Sequence, residues 1–435
     1  MEITMFVSDC LNINENGHLT IGGCDTVELA KRGTPVIVYD ENEIRKNCRA
    51  FVKSIEENYD GKGRVIYASK AFSCLEMVRI CNQENMGLDV VSGGEIYTAL
   101  KAGFPAERIY FHGNNKSYDE LCEALDAGVG RIMVDNLTEL ETISKIAKEK
   151  NLTANIILRI KPGIDAHTHD FVKTGQIDSK FGLALETGEA MDAVKYILTV
   201  DNVELCGLHC HIGSQIFDID PFEHAAEVMI KFMADIKAET GYEIKELDLG
   251  GGFGIKYTEN DKPNPYEAYM VSVSKVVKAE CAKYGLEVPF IIIEPGRSIA
   301  GAAAVTLYTV GSVKEIPGIR TYVAIDGGMS DNPRYILYQS EYEVVCANKA
   351  SMPRDKKVTV AGKCCESGDL IQEDTMLQEV VPGDIVAVLS TGAYNYSMAS
   401  NYNKLRKPEV LMVKDGVART IIKRETYEDL IKNEL

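Results

Sequence analysis

Eight short apolar runs recur along the first two thirds of the chain, and each is hydrophobic at nearly every position. Such continuous apolar character is typical of parallel strands that are buried on both faces. Several segments between the runs, such as 93–103 and 136–149, instead place apolar residues at the spacing of an amphipathic helix. The eight predicted strands are RVIYAS (64–69), LDVVS (88–92), IYFHG (109–113), RIMVD (131–135), NIILRI (155–160), LCGLHCH (205–211), ELDLG (246–250) and FIIIE (290–294).

Eight strand–helix units in succession predict an α/β fold built on a (β/α)8 barrel. An open, doubly wound sheet is the alternative, but neither a GxGxxG turn nor a Walker loop follows any of the strands. After about residue 304 the pattern changes to alternating strand-like runs with glycine-rich turns, which is typical of an all-β domain. We therefore predict a barrel over 38–304 and a second, all-β domain formed by 305–435 together with 1–37.

The charge balance narrows the range of partners. The 435-residue chain has 47 Lys and Arg against 65 Asp and Glu, and this net charge of −18 has the wrong sign for gripping phosphate backbones or anionic lipid. We therefore expect neither nucleic acid nor a membrane as a main partner. No window approaches 18 uncharged apolar residues, and the start, MEITMFVSDC, lacks the pattern of a signal peptide, so we expect a cytoplasmic protein.

The 12 cysteines include no CxxC pair. In a chain of this length and in a reducing compartment, cysteines are expected as small core residues with one reactive thiol at most, and a disulfide framework is not expected. Cys364, Cys365 and Glu366 follow a Gly-Lys turn in the predicted all-β domain. They either form a site with a functional thiol or are buried residues that pack the core.

Active sites of (β/α)8 barrels lie at the C-terminal ends of the strands, so polar residues there are candidates. Lys70 ends the run YASK and is either a Schiff-base amine or a lysine that snorkels at a strand exit. Gly250–Gly252 form either a phosphate-binding nest or a plain turn. Glu294 and Arg297 place a carboxylate and a guanidinium at the same end of the barrel. They are either functional groups of a site or a structural ion pair. The other polar residues at strand ends are Ser92, His112, Asp135, Arg159 and His211.

Four histidines are candidate metal ligands, but we do not predict a metal site. His209 and His211 share one face of a predicted strand, and His167 and His169 lie in the unpatterned stretch 161–185. No HExxH motif, carboxylate cluster or CxxC accompanies them, and an imidazole on a barrel strand can equally stack on a flat cofactor. A long stretch of this kind on a barrel is more often an active-site lid than a slack loop.

Nine motifs, in order along nearly the whole chain, resemble those of the fold-type III pyridoxal-phosphate decarboxylases. Within that family the resemblance is to the enzymes that decarboxylate diaminopimelate to lysine. Each motif alone is weak, but nine in the same order are highly specific. They are YASKA (67–71), LDVVSGGE (88–95), KPGIDAHTHDFVKTGQIDSKFG (161–182), HCHIGSQ (209–215), LDLGGGFG (247–254), EPGRS (294–298), DNPRYILY (331–338), CESGD (365–369) and GAYNYSMASNYN (392–403).

The resemblance implies pyridoxal 5′-phosphate as the cofactor, with Lys70 as its Schiff-base residue, His211 stacked on its ring and Glu294 bonded to the ring nitrogen. It implies that Cys365 is the acid that reprotonates the product. The preceding residue is often His in this family and is Cys364 here, which leaves the choice between two thiols open, although the alignment of ESGD favours Cys365. The implied phosphate-binding residues are Ser214, Gly252, Gly296, Arg297 and Tyr394. The implied substrate-binding residues are Arg297, Arg334, Tyr338, Glu366 and Tyr394.

The resemblance also implies a two-fold homodimer with shared active sites, in which the turn carrying Cys365 and Glu366 reaches into the partner's barrel. An alternative is a non-catalytic, cofactor-binding homologue. The presence of Lys70, Glu294 and Cys365 together disfavours it.

The chemistry of the implied site favours decarboxylation of a diacid. A carboxylate at Glu294 keeps the ring nitrogen protonated, so that the conjugated ring can stabilise the carbanion left by departing carbon dioxide. Related racemases place an arginine there, which suits α-proton exchange instead. The substrate's second amino-acid end needs a cation for its carboxylate and an anion for its ammonium, which Arg297 or Arg334 with Glu366 would supply. Ornithine and arginine decarboxylases are the nearest alternatives, and they need no second arginine of this kind.

Overall fold

The computed structural model describes residues 6–164 and 178–435. The chain divides into two compact units, one formed by Asn47–Gly254 and Pro263–Gly296, the other by Met1–Lys46, Ile255–Lys262 and Arg297–Leu435. The first unit carries the predicted barrel strands and the second the predicted all-β segments. The predicted domain limits, 38–304 against 1–37 and 305–435, stay a prediction.

The first unit is a closed barrel of eight parallel strands. Every neighbouring pair is parallel, and the last strand closes onto the first through the register Ile291↔Gly63 and Ile293↔Val65. The predicted (β/α)8 barrel is therefore confirmed, and the open sheet is wrong. The barrel strands are β1 (Gly63–Ala68), β2 (Gly87–Val90), β3 (Ile109–Phe111), β4 (Arg131–Val134), β5 (Ala154–Lys161), β6 (Val203–Cys210), β7 (Glu246–Asp248) and β8 (Phe290–Ile293).

Helices connect the strands, and local sequence signals set where they begin and end. Ser92, Ser117 and Asn136 each accept a hydrogen bond from the backbone N–H three residues ahead, which caps a helix start. Gly241 and Gly285 end two long helices in the left-handed conformation. The helices are α1 (Glu41–Tyr59), α2 (Leu75–Gln83), α3 (Gly93–Lys101), α4 (Tyr118–Ala127), α5 (Leu137–Glu149), α6 (Glu189–Ile197), α7 (Asp220–Thr240) and α8 (Tyr266–Tyr284).

The barrel interior is filled by side chains. Ile66, Tyr110, Met133, Ile157 and Ile292 form one buried apolar cluster contributed by five different strands. The interior is therefore a packed core and not a pore, as is usual for this fold. Polar groups are left to the two ends of the barrel, and the C-terminal end is where the site residues were predicted.

The second unit is built mainly of sheet, which confirms the predicted all-β domain. A small three-stranded sheet accompanies a nine-stranded sheet in which Val36–Asp40 pairs with Ala304–Ile316. The strand Leu370–Leu377 was not predicted from the sequence. The remaining strands of the second unit are Leu11–Ile13, Leu19–Ile21, Cys24–Asp25, Arg320–Ile325, Val344–Cys346, Lys356–Ala361, Ile385–Leu389, Glu409–Lys414 and Val417–Ile422. The short helices of this unit are Thr26–Ala30, Arg297–Ala300, Arg334–Tyr338 and Tyr427–Ile431.

Within the described ranges, no helix has both the length and the apolar character needed to cross a membrane. All twelve cysteines fall within these ranges, and each is a free thiol.

Candidate active site

A cavity of about 390 Å³ opens among residues at the C-terminal ends of the barrel strands. Lys70 lies in a short 3-10 turn directly after β1, and its side chain is exposed where the strand itself is buried. His211 follows β6, and Glu294 follows β8. The structure therefore brings three predicted site residues from distant parts of the chain to one cavity. The titratable residues lining this cavity are Lys70, Asp89, His112, Lys116, Arg159, His209, His211 and Glu294.

Glu294 is a buried carboxylate between two imidazoles. Its Oε1 lies 3.0 Å from Nε2 of His112 and 3.5 Å from Nε2 of His209. Burial favours the neutral acid, but the two histidines outweigh it and hold the pKa of Glu294 well below its usual range. The carboxylate is therefore ionised at neutral pH. Burial lowers the pKa of His209 to about 4, so that ring is neutral there.

These contacts are close ion-pair approaches, but they are not among the hydrogen bonds of the site. Within the described residues, Oε1 of Glu294 and Oδ1 of Asp89 are buried with no hydrogen-bond partner. Buried polar atoms are normally partnered, so an orphaned acceptor in a cavity calls for a donor from a ligand. A protonated ring nitrogen is a donor of the required kind, and Glu294 therefore fits the pyridine end of pyridoxal phosphate.

The glycine loop after β7 leaves no room for side chains. A Cβ on Gly251 would lie 2.2 Å from the carbonyl oxygen of Glu294, and one on Gly252, where φ is +112°, would lie 2.7 Å from the carbonyl oxygen of Gly213. The loop after β6, which carries Ser214, is bonded to this loop through Ile216, whose N–H donates to the Gly252 carbonyl at 2.9 Å. The close packing of these backbones explains why both positions are glycine, and the phosphate-binding nest stays a prediction.

The ring of His211 is held in one orientation by the glycine loop. The N–H of Gly251 donates to Nδ1 of His211 at 3.2 Å, which makes Nδ1 an acceptor. Burial, reinforced by the nearby charge of Lys70, lowers the pKa of His211 well below its usual value. His211 is therefore a neutral, flat ring beside Lys70, which suits stacking on an aromatic cofactor.

Among the described residues, the two histidines of β6 and its end have different neighbours. His209 lies against Glu294, whereas His211 accepts from the glycine loop. His167 and His169 lie outside the described residues, as does most of the predicted lid over 161–185. Within 6–164 and 178–435, one group could hold an ion by distance, with ligand atoms of His112, His209 and Glu294 within 4.8 Å of one another. The expectation of no metal stays a prediction.

The second unit brings together four of the predicted substrate-binding side chains. The guanidinium of Arg297 lies 4.8 Å from the ring centroid of Tyr394, and that of Arg334 lies 5.8 Å from the rings of both Tyr394 and Tyr338. Both arginines are buried, with 7% and 6% of their surface exposed. At their centre is Tyr257, which the sequence analysis missed because no motif marks it.

The two adjacent thiols of the second unit differ sharply. Cys364 is buried, and burial, with the nearby Asp369, raises its pKa to about 11, whereas Cys365 is exposed. The accessible thiol is thus the one that the ESGD alignment favours. Glu366 is also exposed.

Several residues of the cavity had no role in the sequence analysis. Asp89 interrupts the apolar run of β2, and a charged residue inside such a run is a signal that could have found it. His112 and Arg159 were noted at strand ends without a role. Ser92, also noted there, proves to cap α3, and Asp135 accepts a hydrogen bond from the N–H of Gly182 at 3.0 Å.

Comparison with known proteins agrees with this geometry. Residues 41–301 match the family profile of the pyridoxal-binding domain of pyridoxal-dependent decarboxylases. The diaminopimelate decarboxylase of Bacillus subtilis (strain 168) is 49% identical over 99% of this chain and 98% of its own. That of Mycobacterium tuberculosis (strain H37Rv) is 43% identical over 97% of this chain and 96% of its own.

Solved structures show the same fold. Diaminopimelate decarboxylase from M. jannaschii, in co-complex with L-lysine, superposes with a TM-score of 0.91 at 35% identity and covers 99% of both chains. A lysine/ornithine decarboxylase from Vibrio vulnificus, complexed with putrescine, gives a TM-score of 0.74 at 22% identity over 90% of this chain and 98% of its own, a likeness of fold alone.

The barrel, its orphaned carboxylate and its lysine define a pyridoxal-phosphate enzyme with a (β/α)8 barrel and a second, sheet-rich domain. The chain belongs to the pyridoxal-dependent decarboxylases and, within them, to the diaminopimelate decarboxylase family. Pyridoxal phosphate is accordingly its cofactor.

Proposed function

We propose that this protein decarboxylates meso-diaminopimelate to L-lysine and carbon dioxide, the last step of lysine biosynthesis. The observation that carries the choice of substrate is the pair of buried guanidinium groups, Arg297 and Arg334, in the second unit. A substrate with two amino-acid ends needs such cations for the carboxylate that does not react. We place the reaction in the cytoplasm, where twelve free cysteines would stay reduced.

Residues of the barrel, with Arg297 and Tyr394 of the second unit, would hold the cofactor. Lys70 would bind its aldehyde carbon and His211 would lie against its ring. The phosphate would be held by Ser214, Gly252, Gly296, the backbone of Arg297 and the hydroxyl of Tyr394. When bound, pyridoxal phosphate supplies a conjugated ring that accepts the electron pair left by departing carbon dioxide.

Glu294 would hold a proton on the ring nitrogen. The carboxylate is ionised in a buried setting, where its field is weakly screened by water. Each pKa unit that it adds to the ring nitrogen corresponds to about 1.4 kcal/mol of preference for the protonated ring. Only the protonated ring withdraws electrons strongly enough to favour decarboxylation.

The second unit would recognise the end of the substrate that is not attacked. Arg297 and Arg334 would bind the distal carboxylate, with Tyr338 and Tyr394 beside them, and Glu366 would bind the distal ammonium. Cys365 would donate the proton that replaces carbon dioxide.

We further propose that Cys365 and Glu366 act in the site of a partner subunit, because both are exposed on a turn. The active form would then be a two-fold homodimer. A mixture of the inactive variants Lys70→Ala and Cys365→Ala, under conditions that exchange subunits, should recover roughly a quarter of full activity. Random pairing makes half the dimers mixed, and each mixed dimer has one intact site of two. No recovery despite proven exchange would place Cys365 in the site of its own chain.

The function is tested by incubating the cofactor-loaded enzyme with meso-diaminopimelate and measuring carbon dioxide and L-lysine together. Ornithine and arginine serve as the competing substrates. We expect equal amounts of both products from diaminopimelate and little release from the other two. Faster release from ornithine or arginine would replace the proposed substrate, and no release from any of them would favour a non-catalytic homologue.

A further inference from the structure

Two buried guanidinium groups in the second unit converge on one phenol oxygen. Nη1 of Arg297 donates to Oη of Tyr257 at 2.6 Å, and Nη1 of Arg334 donates to the same oxygen at 2.7 Å. Arg334 also donates to Oη of Tyr342 at 3.3 Å and to Oγ of Ser340 at 3.2 Å. Tyr257 is thus the shared acceptor of both arginines.

This arrangement holds two like charges together, and among the residues that the structure describes the hydrogen-bond partners of Arg334 are hydroxyl groups and not a carboxylate. Buried cations are normally paired with anions, because an uncompensated charge is costly in a medium of low dielectric constant. Burial favours the neutral phenol, but the two guanidinium groups outweigh it and lower the pKa of Tyr257. The two guanidinium groups therefore stabilise negative charge on the phenol oxygen that they share.

Tyr257 is itself fixed on several sides. Its ring packs edge-to-face on Tyr342, with centroids 5.4 Å apart at 88°. Its backbone N–H donates to Asp261 Oδ2 at 2.9 Å, and its carbonyl accepts from the N–H of Glu343 at 3.3 Å. A rigid phenol can set the positions of both arginine side chains, which are otherwise flexible.

One hydrogen-bond donor of this arginine–tyrosine cluster has no acceptor among the described residues. Nε of Arg334 is buried and has no hydrogen-bond partner within the described ranges. A carboxylate from a ligand would supply both the missing charge and the missing acceptor.

We propose that Tyr257 is a positioning residue for substrate recognition, whose phenol oxygen holds Arg297 and Arg334 as a fixed pair that receives the distal carboxylate. This role rests on the proposed decarboxylation of diaminopimelate. Tyr257 itself would touch neither the cofactor nor the reacting carbon. Its removal should therefore weaken the binding of carboxylate-bearing ligands and leave the chemical step nearly unchanged.

The two ends of the substrate provide a ligand pair for the test. Decarboxylation at one end leaves the other amino-acid end intact in L-lysine, so L-lysine retains the distal carboxylate. The same molecule without that carboxylate is 1,5-diaminopentane. A residue that positions the arginines should discriminate between these two inhibitors, whereas a residue that only supports the fold should affect both alike.

The experiment compares the cofactor-loaded wild type with Tyr257→Phe, which keeps the ring and removes the oxygen. For Tyr257→Phe we expect KM for meso-diaminopimelate to rise about tenfold or more and kcat to stay within about threefold, the pattern of lost uniform binding. The inhibition constant of L-lysine should rise by a similar factor, and that of 1,5-diaminopentane should stay within about twofold.

Tyr110→Phe is the matched control. Its hydroxyl is also buried and also accepts from an arginine, Arg64 at 3.5 Å, but among the N-terminal ends of the barrel strands. All constants of this control should match the wild type.

The outcomes separate this proposal from the proposed function. If wild type does not release lysine from diaminopimelate, the function is wrong. If wild type is active but Tyr257→Phe weakens both inhibitors equally, or weakens neither, the positioning role is wrong. Should Tyr257→Phe not accumulate as folded enzyme, Tyr342→Phe removes the longer bond to Arg334, together with the bonds of that hydroxyl to Asn395, and should raise the L-lysine constant about threefold. An equal effect of Tyr342→Phe on 1,5-diaminopentane would contradict the proposal in the same way.

Discussion

Both ends of the barrel open into a cavity lined by charged side chains, but among the described residues only the C-terminal cavity is lined by buried carboxylate oxygens that lack a hydrogen-bond partner. The cavity at the N-terminal end is the larger, about 620 Å³ against about 390 Å³. There Nε of Arg131 donates to Glu246 at 2.9 Å, with a second bond beside it, and Lys62 donates to a backbone carbonyl. At the C-terminal end, Glu294 and Asp89 keep buried oxygens without a hydrogen-bond partner among the described residues.

The difference shows that cavity size does not identify the functional end of this barrel. Charges that serve stability are paired within the protein, because an unpaired buried polar atom costs about 1–3 kcal/mol. A buried acceptor that lines a cavity and lacks a partner marks a position where a ligand can supply the donor. We therefore expect the smaller cavity to be the active site, and variants at the two ends should differ in what they damage.

The largest effect is expected from Lys70→Ala, which should lower kcat by roughly 10³-fold or more because the cofactor loses its covalent anchor. In wild type, borohydride reduction should attach the pyridoxyl group to the peptide that contains Lys70. Lys116 lines the same cavity but is an internal control, because it donates to Glu139 at 2.9 Å and to two backbone carbonyls. Mass spectrometry that finds the label on Lys116 would contradict the assignment.

The next effect is expected from Glu294→Gln, which keeps the shape of the side chain and removes its charge. Turnover should fall about 10²-fold or more, as for other preorganised electrostatic groups, with cofactor still bound. Absorbance of the bound cofactor provides the control. Near-native turnover with full cofactor occupancy would remove the argument that Glu294 protonates the ring nitrogen.

Local patterns in the sequence predicted the fold, whereas features that depend on contacts between distant segments were not predictable. The barrel was predictable because its strands carry continuous apolar runs, a local pattern. The strand Leu370–Leu377 was missed because it is an edge strand, and its polar positions resemble a loop. The contact of His112 and His209 with Glu294 was not predictable, because it forms only when β3, β6 and β8 close into one barrel. Tyr257 was missed for the same reason within the second unit.

A smaller effect is expected on the pH dependence of stability, through His209 at the C-terminal end of the barrel. Burial lowers the pKa of His209 to about 4 from the usual value near 6.5, so the unfolded chain binds a proton that the folded protein rejects. Stability of the cofactor-free protein should therefore fall as pH drops from about 6.5 to about 4, by up to about 3 kcal/mol. His209→Asn should flatten this part of the profile, measured by urea unfolding at several pH values. An unchanged slope would mean that His209 is not the group responsible.

The smallest effect on activity is expected at the N-terminal end of the barrel. Variants at that end are also the sharpest test of the comparison between the two cavities. Arg131→Met leaves the half-buried Glu246 without its partner and should lower the free energy of unfolding by about 1–2 kcal/mol, with kcat within about twofold of wild type. Adding Glu246→Met to that variant should restore part of the lost stability, because it removes the uncompensated charge. Urea unfolding and a kinetic assay on the same preparations measure both quantities. If Arg131→Met instead lowered kcat tenfold with little change in stability, then paired charges would not mark the structural end of this barrel, and the larger cavity would need a functional explanation.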